Sequence, residues 1–155
     1  MHTLGNSVKA LLESKADTEA LFATEESTGR AVEECLRYDP PLHLFARYVQ
    51  QPAEVAGIRL RAGEAVALLY GAANRVPARF PNASTFDPTR PAIPAFGFGG
   101  GIHFCLGAPL ARLELQVSLP LVFKRLRSLR LKAVPRYTNS YHFHGLESLD
   151  LAWER

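Results

Sequence analysis

One cysteine stands at the end of a glycine-rich run, Phe98-Gly99-Gly100-Gly101-Ile102-His103-Phe104-Cys105-Leu106-Gly107. Beyond it, Ala108-Pro109-Leu110-Ala111-Arg112 reads as the opening of a helix, because proline suits a first turn whose N–H groups have no partner. Three successive glycines let the backbone take positive φ and approach a flat object with no Cβ in the way. A cysteine at a helix mouth feels the positive end of the macrodipole and nearby unpaired N–H groups. Both favour the thiolate, the form that binds metals. Other chemistries compete for the same residues. A phosphate cradle of the form G-x-G-x-x-G fails, since Gly97-Phe98-Gly99 would need a small residue where Ile102 stands. A cysteine nucleophile with His103 as its base lacks a recognisable third member. A buried, inert thiol is the commonest fate of a free cysteine.

Two further pairs are spaced for chemistry. Glu34 and Arg37 lie three apart, so they share a helical face, and by spacing alone they are a surface pair worth about 0.2–0.5 kcal/mol. His142 and His144, two apart on a strand, point to the same side and could hold a metal, but no third ligand is near in sequence. Of the two, His144 is expected to be exposed.

The elements that must carry these residues are legible in outline. Leu4, Val8, Leu11 and Leu12 repeat at helical spacing. Asp17 to Ala23 is a short helix with Asp17 as its cap. A helix from Ser27-Thr28 to Tyr38 is stopped by Asp39-Pro40-Pro41. A strand is predicted over Ala46–Gln50. Ala53–Leu69 reads as one hairpin, with Arg61-Ala62-Gly63-Glu64 as its turn and Ala65–Leu69 as a buried return strand. Gly71–Arg75 is a short helix, and Val76–Pro94 is proline-rich without a period. Leu110, Leu113, Val117 and Leu121 define an apolar face of a long helix, kinked at Pro120. The basic run Lys124–Lys132 follows as a solvated face at that helix's C-terminus. Tyr137–Trp153 alternates loosely.

The glycine–cysteine stretch resembles the haem-binding signature of the cytochrome P-450 family in Phe98, Gly101, His103, Cys105 and Gly107. Its continuation Ala108-Pro109-Leu110-Ala111-Arg112-Leu113-Glu114 looks like the bacterial soluble branch. Ala31–Pro41, with Glu34 and Arg37, resembles the family's E-x-x-R element, and Gly145-Leu146-Glu147-Ser148-Leu149 its C-terminal hairpin. The resemblance covers residues 1–155 as one unit and implies a mainly α fold with small β-sheets, a C-terminal, proximal portion of the family's fold. It implies haem b (iron protoporphyrin IX), with Cys105 as the iron's axial ligand and catalytic centre. Arg47 and His103 would hold propionates, with Phe98, Gly99, Gly107 and Ala111 as further haem contacts. Glu34 and Arg37 become a buried ion pair tying their helix to the segment before the haem loop. Leu42, Leu44, Phe45 and Phe143 would line an apolar substrate pocket, Phe45 standing where many relatives carry an acid.

The reaction implied is monooxygenation of a small apolar organic substrate, with electrons from a ferredoxin or flavoprotein docking near Arg112. The rival expectation is a non-catalytic remnant that binds haem weakly or not at all. The first helix would correspond to the tail of the family's distal helix, and no acid–alcohol pair for proton delivery stands near Thr3. Two departures predict a weaker internal lock: Thr85 replaces a second arginine before Phe86-Asp87, and Val76 an aspartate after Asn74-Arg75.

Composition fits one globular domain: 155 residues, 47% hydrophobic, net charge +3 and pI ≈ 9.1. That charge is too small to argue for nucleic acid. Two distant cysteines, Cys35 and Cys105, form no disulfide framework, so a reducing cytoplasm is the expected setting. The longest apolar run, Ala65–Ala73, is too short to span a bilayer.

Overall fold

The computed structural model describes residues 2–154. Three helices build the centre. α1 (His2–Ser14) buries Val8, Ala10 and Leu11. α2 (Thr18–Leu21) is capped by the Asp17 carboxylate, which accepts from the Glu19 and Ala20 N–H groups. α3 (Glu25–Tyr38) begins earlier than the Ser27-Thr28 start read from sequence. Thr24 is its N-cap and Ser27 the third helical residue of a reciprocal capping box, so Ser27 closes the first turn instead of opening it. Glu25 and Glu26 in that turn suit the positive end of the dipole. Asp39, outside the helical region (φ −135°, ψ 66°) before Pro40, ends the helix.

Strands β1 (Leu44–Tyr48) and β4 (Ala65–Leu69) pair antiparallel, from Leu44 opposite Leu69 to Tyr48 opposite Ala65. Between them β2 (Ala53–Val55) and β3 (Ile58–Leu60) form their own hairpin, turning on Ala56 and Gly57, both at positive φ. The single hairpin expected over Ala53–Leu69 is therefore two units. Arg61–Glu64 is a turn as expected, with the Glu64 carboxylate accepting from the Arg61 N–H, but it feeds a strand that pairs further back in the chain. Nor is β4 buried, because it alternates between exposed and half-buried residues. A short α4 (Tyr70–Ala73) follows.

The 18-residue α5 (Ala108–Arg125) packs on α3. Its buried stripe is Ala108, Leu115 and Leu119, and the two leucines close the core with Val8, Leu11, Leu21, Val32, Cys35, Leu36 and Ala95. The face expected from Leu110, Leu113, Val117 and Leu121 is instead exposed. A helix apolar on several sides offers more than one candidate stripe, and periodicity cannot choose between them. Pro120 lies inside α5, as expected.

The basic run divides: Lys124 and Arg125 close α5, while Arg127–Leu131 is strand β5, not helix end. β5 pairs with β8 (Leu151–Glu154), and β6 (Arg136–Tyr137) pairs with β7 (Leu146–Ser148). The result is a helical layer edged by four two-stranded sheets, the α+β class anticipated. Among the described residues no helix is long and apolar enough to cross a membrane.

Candidate functional site

The loop from Phe96 to Gly107 is two short 3-10 turns, Phe96–Phe98 and Gly101–His103, joined through glycines. Gly99 (φ 74°) and Gly101 (φ 60°) occupy the left-handed region that favours glycine. At Gly99 a side chain would also press within 3.4 Å of the Tyr70 hydroxyl. The Cys105 N–H donates to the Phe98 carbonyl (2.9 Å), and the Ala108 N–H to the Cys105 carbonyl (3.2 Å). These bonds fold the loop so that the Cys105 thiol is exposed at the mouth of α5. Gly107 stands beside the sulfur, with its Cβ direction 3.8 Å from Sγ.

Flanking the thiol in the loop are apolar side chains that water does not favour, Ile102 and Leu106 at 97% and 99% exposed and Phe104 about half exposed. Phe45 on β1 and Phe143 beside Leu42 are about half exposed too. His103 is exposed on the same loop. Arg47 is half-buried on β1, its guanidinium 4.9 Å from the Phe45 ring centroid and bonded to the neighbouring Ala46 carbonyl. No carboxylate pairs with Arg47 among the described residues. One soft thiol, an apolar surround and a cation without an acid suit a flat apolar metal macrocycle with an acidic edge better than a bare ion. The residues present therefore fit haem.

Beneath the loop sits a buried polar lock. Arg37 is 1% exposed and all five of its N–H donors are filled. Nε and Nη2 grip the two Glu34 oxygens at 2.7 Å each. Nη1 reaches the carbonyls of Asn74 (3.0 Å) and Ala83 (2.8 Å), and Nη2 also that of Thr85 (3.1 Å). Glu34 in turn accepts from the Asp87 N–H (2.8 Å) and from Arg90 Nε (3.2 Å). The weakening expected from Thr85 is thus overturned. Arg90, three residues beyond Asp87, supplies the second guanidinium, and Thr85 contributes its carbonyl. Arg75 adds bonds to the Tyr38 and Ala83 carbonyls. The buried Asn74 carries the lock to the Cys105 loop, accepting from the Phe96 N–H (2.8 Å).

Arg112 is turned inward. Its guanidinium pairs with Glu33 on α3 and lies 4.8 Å from the Phe98 ring centroid, so most of its charge is committed within the fold. Ala111 is half-buried one residue before it. Arg90, Asn74 and Glu33 went unnoticed in the sequence. The available signal for Arg90 was one arginine in a proline-rich stretch that must bury polar backbone.

Leu42 and Phe143 meet in a single antiparallel bridge, which brings two of the expected pocket residues together. Leu44 opens β1 and Phe45 follows it. His144, expected to be exposed, is instead stacked between Tyr137 (3.8 Å) and His43 (4.2 Å), with Nε2 3.1 Å from the Asp39 carboxylate. His142 has no share in this cluster and packs edge-on against Tyr141.

The chain is similar to known proteins over most of its length. The family description "Cytochrome P450" matches residues 9–140. A biotin biosynthesis cytochrome P450 of Bacillus subtilis (strain 168) is 40% identical over 155 residues, covering 99% of this chain and 39% of the relative. The cytochrome P450 monooxygenase PikC of Streptomyces venezuelae is 35% identical over 160 residues, covering 100% of this chain and 38% of the relative. Among solved structures, P450BioI in complex with an acyl carrier protein ligated to hexadec-9Z-enoic acid superposes with a TM-score of 0.92 at 40% identity. That match covers 99% of this chain and 40% of the other. The tirandamycin C-bound monooxygenase TamI gives a TM-score of 0.90 at 34% identity, covering 99% and 39%. The chain spans about two-fifths of the length of these relatives, and it belongs to the cytochrome P450 family.

Proposed function

We propose that this chain carries the haem-thiolate portion of a monooxygenase that inserts one oxygen atom of O2 into an apolar organic substrate. The second oxygen leaves as water, using two protons and two electrons delivered by a ferredoxin or flavoprotein. The observation that carries this reading is the exposed Cys105 thiol at the mouth of α5, framed by glycines at positive φ. Haem, when bound, supplies dioxygen activation, and thiolate ligation favours O–O cleavage.

The chain's own residues do the rest. Cys105 donates its sulfur, and the Phe98 carbonyl holds the Cys105 backbone in place. Gly99 and Gly107 would leave room for the cofactor, and Phe98 and Ala111 would contact it. Arg47 and His103 offer cationic or N–H partners to its acidic edge. Glu34 and Arg37, locked to Asn74, keep the loop registered on α3. Leu42, Leu44, Phe45 and Phe143 would supply the apolar contacts to substrate, consistent with a lipid-like molecule such as the acyl chain named for P450BioI. Arg112 serves a redox partner through its position on this face, while its charge is held by Glu33.

A second reading has its own support. Leu110, Leu113, Val117 and Leu121 are exposed, and the chain matches two-fifths of its relatives. Apolar surface of this kind fits a portion whose function needs further polypeptide to cover it, without which haem is held weakly. One experiment separates the readings. The chain is mixed with haemin, reduced and exposed to carbon monoxide, and the difference spectrum is recorded. A thiolate-type band that Cys105→Ala abolishes supports the haem-thiolate reading. A histidine-type band, or none, supports the second.

A further inference from the structure

Beside β1 and the Leu42–Phe143 bridge the fold assembles three metal-ligating side chains that are distant in sequence. Asp39 ends α3, His43 precedes β1, and His144 lies in the loop before β7. One ligand atom from each lies within 4.8 Å of the others. We propose that Asp39, His43 and His144 form a binding site for a divalent transition-metal ion of the zinc type, separate from the haem ligand Cys105.

The cluster is held by the backbone. The His43 N–H donates to the His142 carbonyl (3.3 Å) and the His144 N–H to the Pro41 carbonyl (2.8 Å). Asn6, buried on α1, donates through Nδ2 to the carbonyls of His144 (2.8 Å) and Asp39 (3.2 Å), fastening two of the three ligands to one side chain. Gly71 leaves room for the third, since a Cβ there would come within 3.3 Å of the His43 ring. The Tyr137 hydroxyl donates to the Asp39 oxygen that does not face His144, the kind of outer-shell bond that orients a ligating carboxylate.

The distances suit zinc chemistry. Ligands about 2.0–2.2 Å from a tetrahedral ion sit about 3.3 Å from one another. His144 Nε2 and the Asp39 oxygen are already 3.1 Å apart. His43 completes the triangle by turning its ring inward, out of its parallel stack on His144 (19° between planes). The ion replaces the proton on Nε2, which shifts to Nδ1 of the same ring. Burial holds the His43 pKa below its usual value, which favours the neutral, ligating imidazole. A cleft of about 560 Å³ beside the cluster gives access and room for a water as fourth ligand. The nearest cations are otherwise engaged, Lys9 by Glu13 and Arg75 by backbone carbonyls.

The consequence is a brace. His43 and His144 each follow a member of the Leu42–Phe143 bridge, and successive residues of extended chain face opposite ways. An ion on one side therefore ties the two segments that present Leu42 and Phe143 on the other.

The test is a titration of chelator-treated protein with Co2+, in a Cys105→Ser background so that the exposed thiol does not compete. The expected result is a tetrahedral-type visible band saturating at one ion per chain and displaced by Zn2+. His43→Gln should weaken binding at least tenfold, while His142→Gln should not change it. Zn2+ should also raise the thermal midpoint of the parent chain and not of His43→Gln, with circular dichroism confirming that the variant is folded. No band below millimolar Co2+ would overturn the site, as would a band that survives both His43→Gln and His144→Gln. Neither result bears on Cys105, so the haem reading stands or falls separately.

Discussion

Replacing Glu34 by alanine tests the lock on which the Cys105 loop rests. Glu34 is 3% exposed and its two oxygens accept four hydrogen bonds, two from Arg37, one from Arg90 and one from the Asp87 N–H. Truncation leaves two guanidiniums in the interior without a counter-charge. Removing one partner of a buried pair costs about 3–5 kcal/mol, because the survivor keeps its desolvation penalty. A domain of this size is stable by about 5–15 kcal/mol, so about a fifth or more of that would go. At about 2–4 °C per kcal/mol for this chain length, the thermal midpoint should fall by about 6–20 °C. Urea unfolding followed by circular dichroism gives the free energy directly. The comparison is Lys9→Ala, which removes an i,i+4 pair with Glu13 near the surface and should cost under about 1 kcal/mol. If Glu34→Ala costs no more than Lys9→Ala, the five-donor accounting at Arg37 does not describe what holds the loop. A double substitution, Glu34→Leu with Arg37→Met, should recover part of the loss, since it leaves one stranded charge where the single change leaves two.

Four further outcomes follow from the same geometry. A thiol reagent should label Cys105 rapidly and Cys35 only on unfolding, because burial pushes the Cys35 thiol up to about 12, whereas Cys105 is exposed; mass spectrometry after a short pulse should find one label. The same raised thiol sets a pH limit: its stabilisation is complete below the unfolded value of 9.0 and is lost as pH rises past it, so urea midpoints should fall in alkali. At the acid end the sign is reversed. His43 is depressed below 6.5, the unfolded chain takes up the proton first, and stability should fall as pH drops through 6.5, a trend His43→Gln should flatten. Finally, Gly99→Ala should destabilise by about 1–2 kcal/mol through its left-handed φ. Gly100→Ala, with extended backbone and nothing within 4 Å of its Cβ, should be tolerated, and parallel thermal melts distinguish the two.

Local chemistry was readable from residue order alone. The stop at Asp39-Pro40, the Asp17 cap and the glycine loop ahead of Cys105 each depend on conformations that a few adjacent residues dictate. Long-range partners were not readable, because nothing in a single chain marks which distant group will satisfy a buried donor. Arg90 replaced an arginine sought at position 85, since a guanidinium on a flexible stem can reach Glu34 from several backbone positions. β4 turned back to β1, because several apolar strands can satisfy the same ladder and only packing selects one. The apolar stripe of α5 was misassigned between Leu113 and Leu115, because a helix greasy on many sides has no preferred face until a neighbour lies against it. His144 was expected in solvent, yet tertiary contacts seat it between Tyr137 and His43 beside Asp39. Sequence thus determined the reactive sulfur and the local turns that expose it. The three-dimensional fold decided which charges neutralise one another and which histidines meet, since those energies exist only once remote segments share a dry interior.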